Sequence, residues 1–321
     1  MIKPRFAIIG AGFIGKAVIR KLLSNNIKVS ILDRNSCPLE FVNKTTWLTG
    51  SFHDQHMLSE VLADASVAYH FVSSTVPGDQ HVDVAMELNE NVVGTLRFVD
   101  SCLTAGVKRI VFASSASVYG VQEYLPINES APTNPISAHG IHKLTIEKFL
   151  LLAKHLHGID VRILRVGNPY GPEQSILGRQ GFIGMAIGHL LQGLPIGLRN
   201  HGLAIRDFIY IDDLAGAFAL CGQINNLPTI INIGTGEGHS LSYVVDLIDQ
   251  LIHQSVTMVE VESRAVDIPA SILDIGLIRS CTSFKPTTSL RDGLSKTLQH
   301  HGIGTGNAMS MDYLNGSTNG S

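Results

Sequence analysis

The chain has 321 residues, enough for one large domain or two closely packed ones, and 45% of them are hydrophobic, which sets it apart from disordered chains. A net charge of -3 and a pI near 6.5 give no basic field for nucleic acid or an anionic membrane. The four cysteines (Cys37, Cys102, Cys221, Cys281) form no C-x-x-C pair, no apolar run reaches 18 residues, and the N-terminus enters a strand directly; together these read as a cytoplasmic protein without a zinc site, disulfide framework or membrane span.

Arg5-Phe-Ala-Ile-Ile9 is a continuous apolar run, as expected of a strand buried on both faces of a parallel sheet. It runs into Gly10-Ala-Gly-Phe-Ile-Gly15 and an amphipathic helix from Phe13 to about Ser24, then a second strand from Lys28 to Leu32 that ends at Asp33. This is a β-α-β unit with a G-x-G-x-x-G turn and an acid 23 residues after Gly10, the pattern of a Rossmann-type dinucleotide site. Gly10 permits the tight turn, Gly12 lets a pyrophosphate approach the backbone, and Gly15 lets helix pack on strand. The helix N-terminus then offers unpaired N–H groups and a positive dipole end to the phosphates. A carboxylate at Asp33 accepts both ribose hydroxyls and repels a 2′-phosphate, so NAD is expected over NADP, with Arg34 as a small offset.

Trp47 to Gly50 reads as a third strand, with Asp54 placed to cap a helix, and Val67 to Val72 as a fourth. A long helix is expected from about His81 to Ala105, and a fifth strand from Lys108 to Ala113 breaks into the serine-rich turn Ser114-Ser-Ala-Ser-Val-Tyr-Gly120. His139-Gly-Ile-His-Lys143 opens another apolar-periodic helix, with Lys143, Glu147 and Leu151 one turn apart. A sixth strand, Asp160 to Arg165, ends in Val166-Gly-Asn-Pro-Tyr-Gly-Pro172. Strands alternating with helices at this spacing predict a doubly wound parallel α/β sheet.

Beyond it, eight glycines fall between Gly171 and Gly202, around a helix from about Gly181 to Gln192. We therefore expect a dinucleotide-binding domain over residues 1–169, to which segments around 206–235 return, and a smaller C-terminal substrate-binding domain over 170–301. The Gly-, Asn- and Ser-rich tail 302–321 lacks periodicity and reads as disordered, removable without loss of stability. His139/His142, His155/His157 and His300/His301 lack a third ligand nearby in sequence, so no metal site is expected.

From about Phe6 to Leu294 the chain resembles the nucleotide-sugar epimerase/dehydratase branch of the extended short-chain dehydrogenase/reductases, typified by UDP-galactose 4-epimerase. The resemblance rests on the glycine turn, Asp33, His70-Phe-Val72, Asn91-Val-Val-Gly-Thr95, Ser114 to Gly120 and Pro135 to Leu144. It continues through Leu164 to Pro172, Arg206 to Ala215, Asn232 to Glu237, Arg264 with Asp267, and Phe284-Lys-Pro286. It implies that Phe13 and Ile14 meet the pyrophosphate through their backbone, that Ser51 and Phe52 flank the adenine, and that Phe71, Val72, Ser73 and Asn91 line the cofactor groove. Lys143 and Pro169 would lie at the nicotinamide end, and Asn168, Arg206 and Arg264 would hold the diphosphate of a nucleotide sugar, most simply a UDP-sugar. A homodimer is implied as well, joined through Leu88, Val92, Leu96, Val99 and Leu103 of one helix and Leu144, Phe149 and Leu152 of another.

Departures from the family pattern matter as much. Ile9 stands where a glycine is usual, and Ser51 where an acid usually meets the adenine amino group. Ala116 and Ser117 replace the Asp-Glu pair of the sugar 4,6-dehydratases, so water elimination has no catalyst. Ser115 and Lys143 occupy catalytic positions, but His139 stands in the tyrosine's place in Tyr-x-x-x-Lys. The expected activity is NAD-dependent epimerisation with His139 as base. The alternative is a dinucleotide-binding protein that has lost its base, or has passed the role to Tyr119.

Overall fold

Seven parallel strands form the central sheet of the computed structural model, which describes residues 5–73, 83–177 and 181–304. They are β1 (Arg5–Ile9), β2 (Lys28–Asp33), β3 (Thr46–Thr49), β4 (Ala65–His70), β5 (Arg109–Ser115), β6 (Asp160–Val166) and, after three strands that lie elsewhere, β10 (Ile230–Ile233). Their order is β10-β6-β5-β4-β1-β2-β3. The apolar runs are explained by the two faces they serve. Along β1, Phe6 and Ile8 enter one core and Ala7 and Ile9 the other; along β5, Val111 and Ala113 face the first while Ile110 and Phe112 face the second.

Helices cover both faces. The first face carries α1 (Phe13–Ser24), which packs on α7 (Ile211–Gln223). The second carries α2 (Gln55–Leu62), α4 (Gly94–Thr104) and α5 (Ala138–His157). Asp54 caps α2 as expected, its carboxylate accepting from the His56 and Met57 amides. The long helix is less regular than its sequence suggests. It is α3 (Val84–Leu88), a π turn (Asn89–Val93) and then α4 without a break, capped by Asp83; the expected start at His81 lies outside the described residues.

Two strand ends also differ from expectation. The fourth strand stops at His70, leaving Phe71 and Val72 beyond the sheet. The fifth continues to Ser115, because Ser114 and Ser115 still pair with Arg165 and Val166 of β6.

After Val166 the chain leaves the sheet. The strand β7 (Asn168–Tyr170) pairs instead with β9 (Ile205–Tyr210), in a small sheet with β11 (Gly238–Ser240) and β13 (Ala270–Ser271). Beside it, β8 (Ile196–Leu198) pairs with β12 (Met258–Glu260), among α6 (Phe182–Leu191), α8 (Leu241–Ile252), α9 (Gly276–Cys281) and α10 (Leu290–His300).

The last helix corrects the reading of the tail. Gly302 (φ +75°) ends α10 in a Schellman turn: the Ile303 amide donates to Leu298 O at 3.0 Å and the Gly302 amide to Gln299 O at 3.0 Å. Ile303 is thereby folded into the core, 2% exposed, so residues 302–304 belong to the domain and the rest of the tail lies outside the described residues. Truncation after Gly304 is expected to leave the melting temperature unchanged. Truncation after His301 removes a buried isoleucine and should cost about 1.5–3 kcal/mol, measurable by urea denaturation.

Candidate functional site

The sequence-predicted cofactor residues gather at the carboxyl ends of the parallel strands, where open α/β sheets bind ligands. Gly10 turns sharply out of β1 at φ +91°, its amide donating to Leu32 O at 3.0 Å; a Cβ there would press on the Val72 amide. Gly15 lies against the Gly10 carbonyl oxygen, so any side chain would drive α1 off the strand. At Gly12 the reverse holds. A Cβ would meet no atom within 4 Å, which leaves an open cradle in front of the first turn of α1. That turn, Phe13 and Ile14 included, has no side-chain cap and no acidic residue. Its amides and dipole are therefore free for a phosphate.

Asp33 is held in place from two sides. Its Oδ2 accepts from the Ala11 amide at 2.6 Å, and its Oδ1 from the Asn35 amide and side chain at 2.8 and 3.0 Å. Arg34 beside it is exposed. If the ribose lies here, as the sequence leads one to expect, a fixed carboxylate repels a 2′-phosphate, so Asp33→Ala should weaken NAD binding more than NADP binding. Equilibrium dialysis of both cofactors measures this, and an equal loss for the two would refute the assignment.

Of the two residues expected at the adenine, Phe52 is buried with its ring 4.2 Å from that of His53, while Ser51 is exposed and its Oγ accepts from the His53 amide at 3.2 Å. Phe71 stacks on Tyr69, Val72 is half-buried and Ser73 exposed. Asn91 is buried and donates to Glu87 O at 2.8 Å. Behind them Thr95 Oγ1 donates to Asn91 O and so accepts from His70 Nε2, which leaves His70 Nδ1 bare. Burial, aided by Lys143, pushes the His70 pKa down to about 3.

Ser115, the last residue of β5, caps a 3₁₀ turn (Ala116–Tyr119), its Oγ accepting from the Ser117 amide at 3.1 Å. Ser137 caps α5 in the same way, accepting from the Gly140 amide at 3.2 Å, and puts His139 in that helix's first turn. Gly140 is required there because a Cβ would meet the Ser117 carbonyl at 2.6 Å, so the serine turn and the helix are in backbone contact. One turn on, Lys143 is buried. Its Nζ donates to Ala113 O at 2.8 Å and lies 4.8 Å from the Phe112 ring centre.

Burial lowers the Lys143 pKa to about 8 against the opposing pull of Glu147. Burial, then the charge of Lys143 and then His142, pushes His139 down to about 3. The His139 imidazole is thus neutral at pH 7, with its Nδ1 buried and unpartnered. It has a lone pair to accept a proton.

Tyr119 is excluded as a substitute base. It is fully buried, donates to Asn232 Oδ1 at 2.7 Å and lies under the Arg165 guanidinium, 4.7 Å from its ring centre. Burial raises its pKa.

Of the remaining expected site residues, Asn168 and Pro169 lie on β7 and Arg206 on the adjoining β9. Arg206 donates to Ile205 O at 2.8 Å, and no carboxylate among the described residues pairs with it. Asp207, its neighbour, is committed elsewhere: it accepts from Thr235 N and Oγ1, Gly236 N and Leu273 N, clamping the Asn232–Glu237 turn onto β9. Arg206 is thus a half-buried cation with no contact ion pair among the described residues; burial lowers its pKa against the more distant charge of Asp267. Arg264 differs, since its Nε and Nη2 are bonded to Asp267 Oδ1 at 3.1 and 2.7 Å, and a ligand phosphate would have to share it.

Sequence reasoning overlooked the support beneath this site. Glu147 accepts from Ser114 Oγ at 2.5 Å and from Arg165 Nε and Nη2 at 3.1 and 2.7 Å, all buried. Its spacing from Lys143 was the available signal.

Residues 7–234 match the NAD dependent epimerase/dehydratase family. A UDP-glucose 4-epimerase of Azospirillum brasilense is 30% identical, with 92% of this chain and 90% of that protein covered. The UDP-glucose 4-epimerase of Thermotoga maritima, solved with UDP-glucose, superposes with a TM-score of 0.86 at 26% identity, covering 92% of this chain and 98% of that one. A dTDP-glucose 4,6-dehydratase from Streptomyces venezuelae, solved with NAD, gives 0.86 at 25% identity over 92% and 96%. With the family model spanning most of the chain and a relative at 30% identity, the chain belongs to the NAD-dependent epimerase/dehydratase family.

Proposed function

We propose that the chain is a nucleotide-sugar epimerase acting on a UDP-sugar. The observation that carries this is the backbone contact between the Ser115–Tyr119 turn and the first turn of α5 at Gly140, which brings the helix bearing His139 and Lys143 to the end of β5. Bound NAD supplies a reversible hydride acceptor. Ser115 hydrogen-bonds the reacting sugar hydroxyl, His139 takes its proton as the carbon loses hydride, and the Lys143 ammonium favours the developing negative charge on oxygen. With NAD bound, the cofactor would supply the hydride for either face of the keto sugar, and His139 would return the proton to the oxygen, so that the centre can be inverted. Asn168, Arg206 and Arg264 hold the diphosphate; a planar guanidinium suits its oxygens. We assign residues 170–301 largely to this sugar-nucleotide side and place the enzyme in the cytoplasm.

Ala116 and Ser117, where elimination would need an acid and a base, favour epimerase over dehydratase. The test is incubation of the full-length protein and NAD with UDP-glucose, UDP-galactose, UDP-glucuronate and UDP-N-acetylglucosamine, followed by chromatography. An epimer from at least one is expected. A 4-keto-6-deoxy product, or no product from any, overturns the reading.

We further propose a homodimer through one face of α5. Ile141, Phe149, Leu152 and Leu156 are exposed along it, and Val84, Met86 and Leu88 of α3 are exposed as well. Of the residues expected at this interface, Val92 and Val99 instead fill the chain's own core. Sedimentation at micromolar concentration should give twice the mass of one chain, and Leu152→Lys should reduce it to one.

A further inference from the structure

The π turn Asn89–Val93 inserts one residue into the helix that borders the cofactor cleft. Such insertions re-aim side chains and recur at functional positions. Glu90 sits within it, with Oε2 2.8 Å from His53 Nε2. The His53 ring in turn lies 4.2 Å from Phe52. One turn on, Gly94 makes this approach possible, because a Cβ there would meet the Phe52 ring at 2.6 Å and the His53 ring at 2.7 Å.

An aromatic wall, an imidazole and a carboxylate therefore converge just past the carboxyl end of β3, beyond Asp33. No catalytic step uses His53 or Glu90. The Glu90 side chain is 38% exposed, and among the described residues its second carboxylate oxygen has no hydrogen-bond partner. A carboxylate at the edge of an aromatic slot accepts from an exocyclic amino group and repels a carbonyl oxygen at the same place. Ser51, two residues before His53, already accepts from the His53 amide.

We propose that Glu90, steadied by His53, accepts a hydrogen bond from the 6-amino group of the cofactor's adenine and selects adenine over hypoxanthine. This rests on the cleft being the NAD site. Competition dialysis of the full-length protein, with labelled NAD against nicotinamide hypoxanthine dinucleotide, measures the ratio of the two affinities. The wild type should prefer NAD by roughly 10- to 100-fold, the worth of one hydrogen bond to a charged acceptor. Glu90→Gln should narrow this below about threefold, because an amide can face either heterocycle, and His53→Ala should leave an intermediate ratio. An unchanged ratio in Glu90→Gln, equal affinities in the wild type, or loss of preference in Ser51→Ala instead would each overturn the proposal. Failure of the wild type to bind NAD at all would refute the site itself and is separately visible.

Discussion

Replacement of His139 by alanine is expected to lower turnover of the epimerised sugar by 10²- to 10⁴-fold, the usual worth of a positioned general base, while NAD remains bound. The loss should appear in kcat, because no cofactor contact is assigned to the imidazole and Asp33, the glycine cradle and Lys143 are untouched. The pH profile separates this from a mere packing defect. The active form of a histidine base is neutral, and burial with Lys143 holds its pKa near 3, so the acid limb of the rate should lie far below the ordinary histidine range. On the alkaline side the ammonium of Lys143 is the form that stabilises oxyanion charge. Its pKa near 8 means that the rate falls as pH rises through about 8. Tyrosine at position 139 would place a phenol beside the same lysine and should retain turnover. Undiminished activity in His139→Ala would remove the imidazole from the chemistry and leave His139 as a space-filler.

What the sequence made legible is local. The glycine turn, Asp33 and the alternating strands and helices carry their own geometric requirements, so a short window suffices to read them. The spacing of Ser115, His139 and Lys143 was readable for the same reason, because a strand end and one helical turn set it. Features fixed by distant partners were not. The serine turn starts late because β6, fifty residues away in sequence, extends the ladder to Ser115. Tyr119 stands in the same motif as Ser115 and reads as a spare base, yet Asn232 and Arg165 close it off. Ile303 looked like tail because one apolar residue has no periodicity, and the Schellman turn that buries it is visible only in the backbone. The π turn has no sequence signature of its own, so nothing marked out Glu90 within the expected helix.

The second large effect is expected at Glu147, which the catalytic chemistry never touches. Glu147→Ala should destabilise the protein by about 3–5 kcal/mol, a sizeable share of the 5–15 kcal/mol that holds most domains folded. The carboxylate is 1% exposed and accepts from both Nε and Nη2 of Arg165, so its removal leaves a buried guanidinium without its counter-charge. Ser114 loses its acceptor at the same stroke. The pair also joins α5 to β5 and β6, the elements that hold Lys143 and Ser115, so the damage should reach the site. Glu147 favours the charged form of Lys143; without it the lysine pKa falls below its present value near 8, and the alkaline loss of turnover should begin at lower pH. Urea denaturation gives the stability, through a lower midpoint at unchanged slope, and the alkaline limb gives the coupling. The double variant Glu147→Leu/Arg165→Met should regain much of the stability, because apolar groups of similar volume need no partner, but not the wild-type pH profile. A loss under 1 kcal/mol in Glu147→Ala would mean that water reaches Arg165 and that the pair does not support the site.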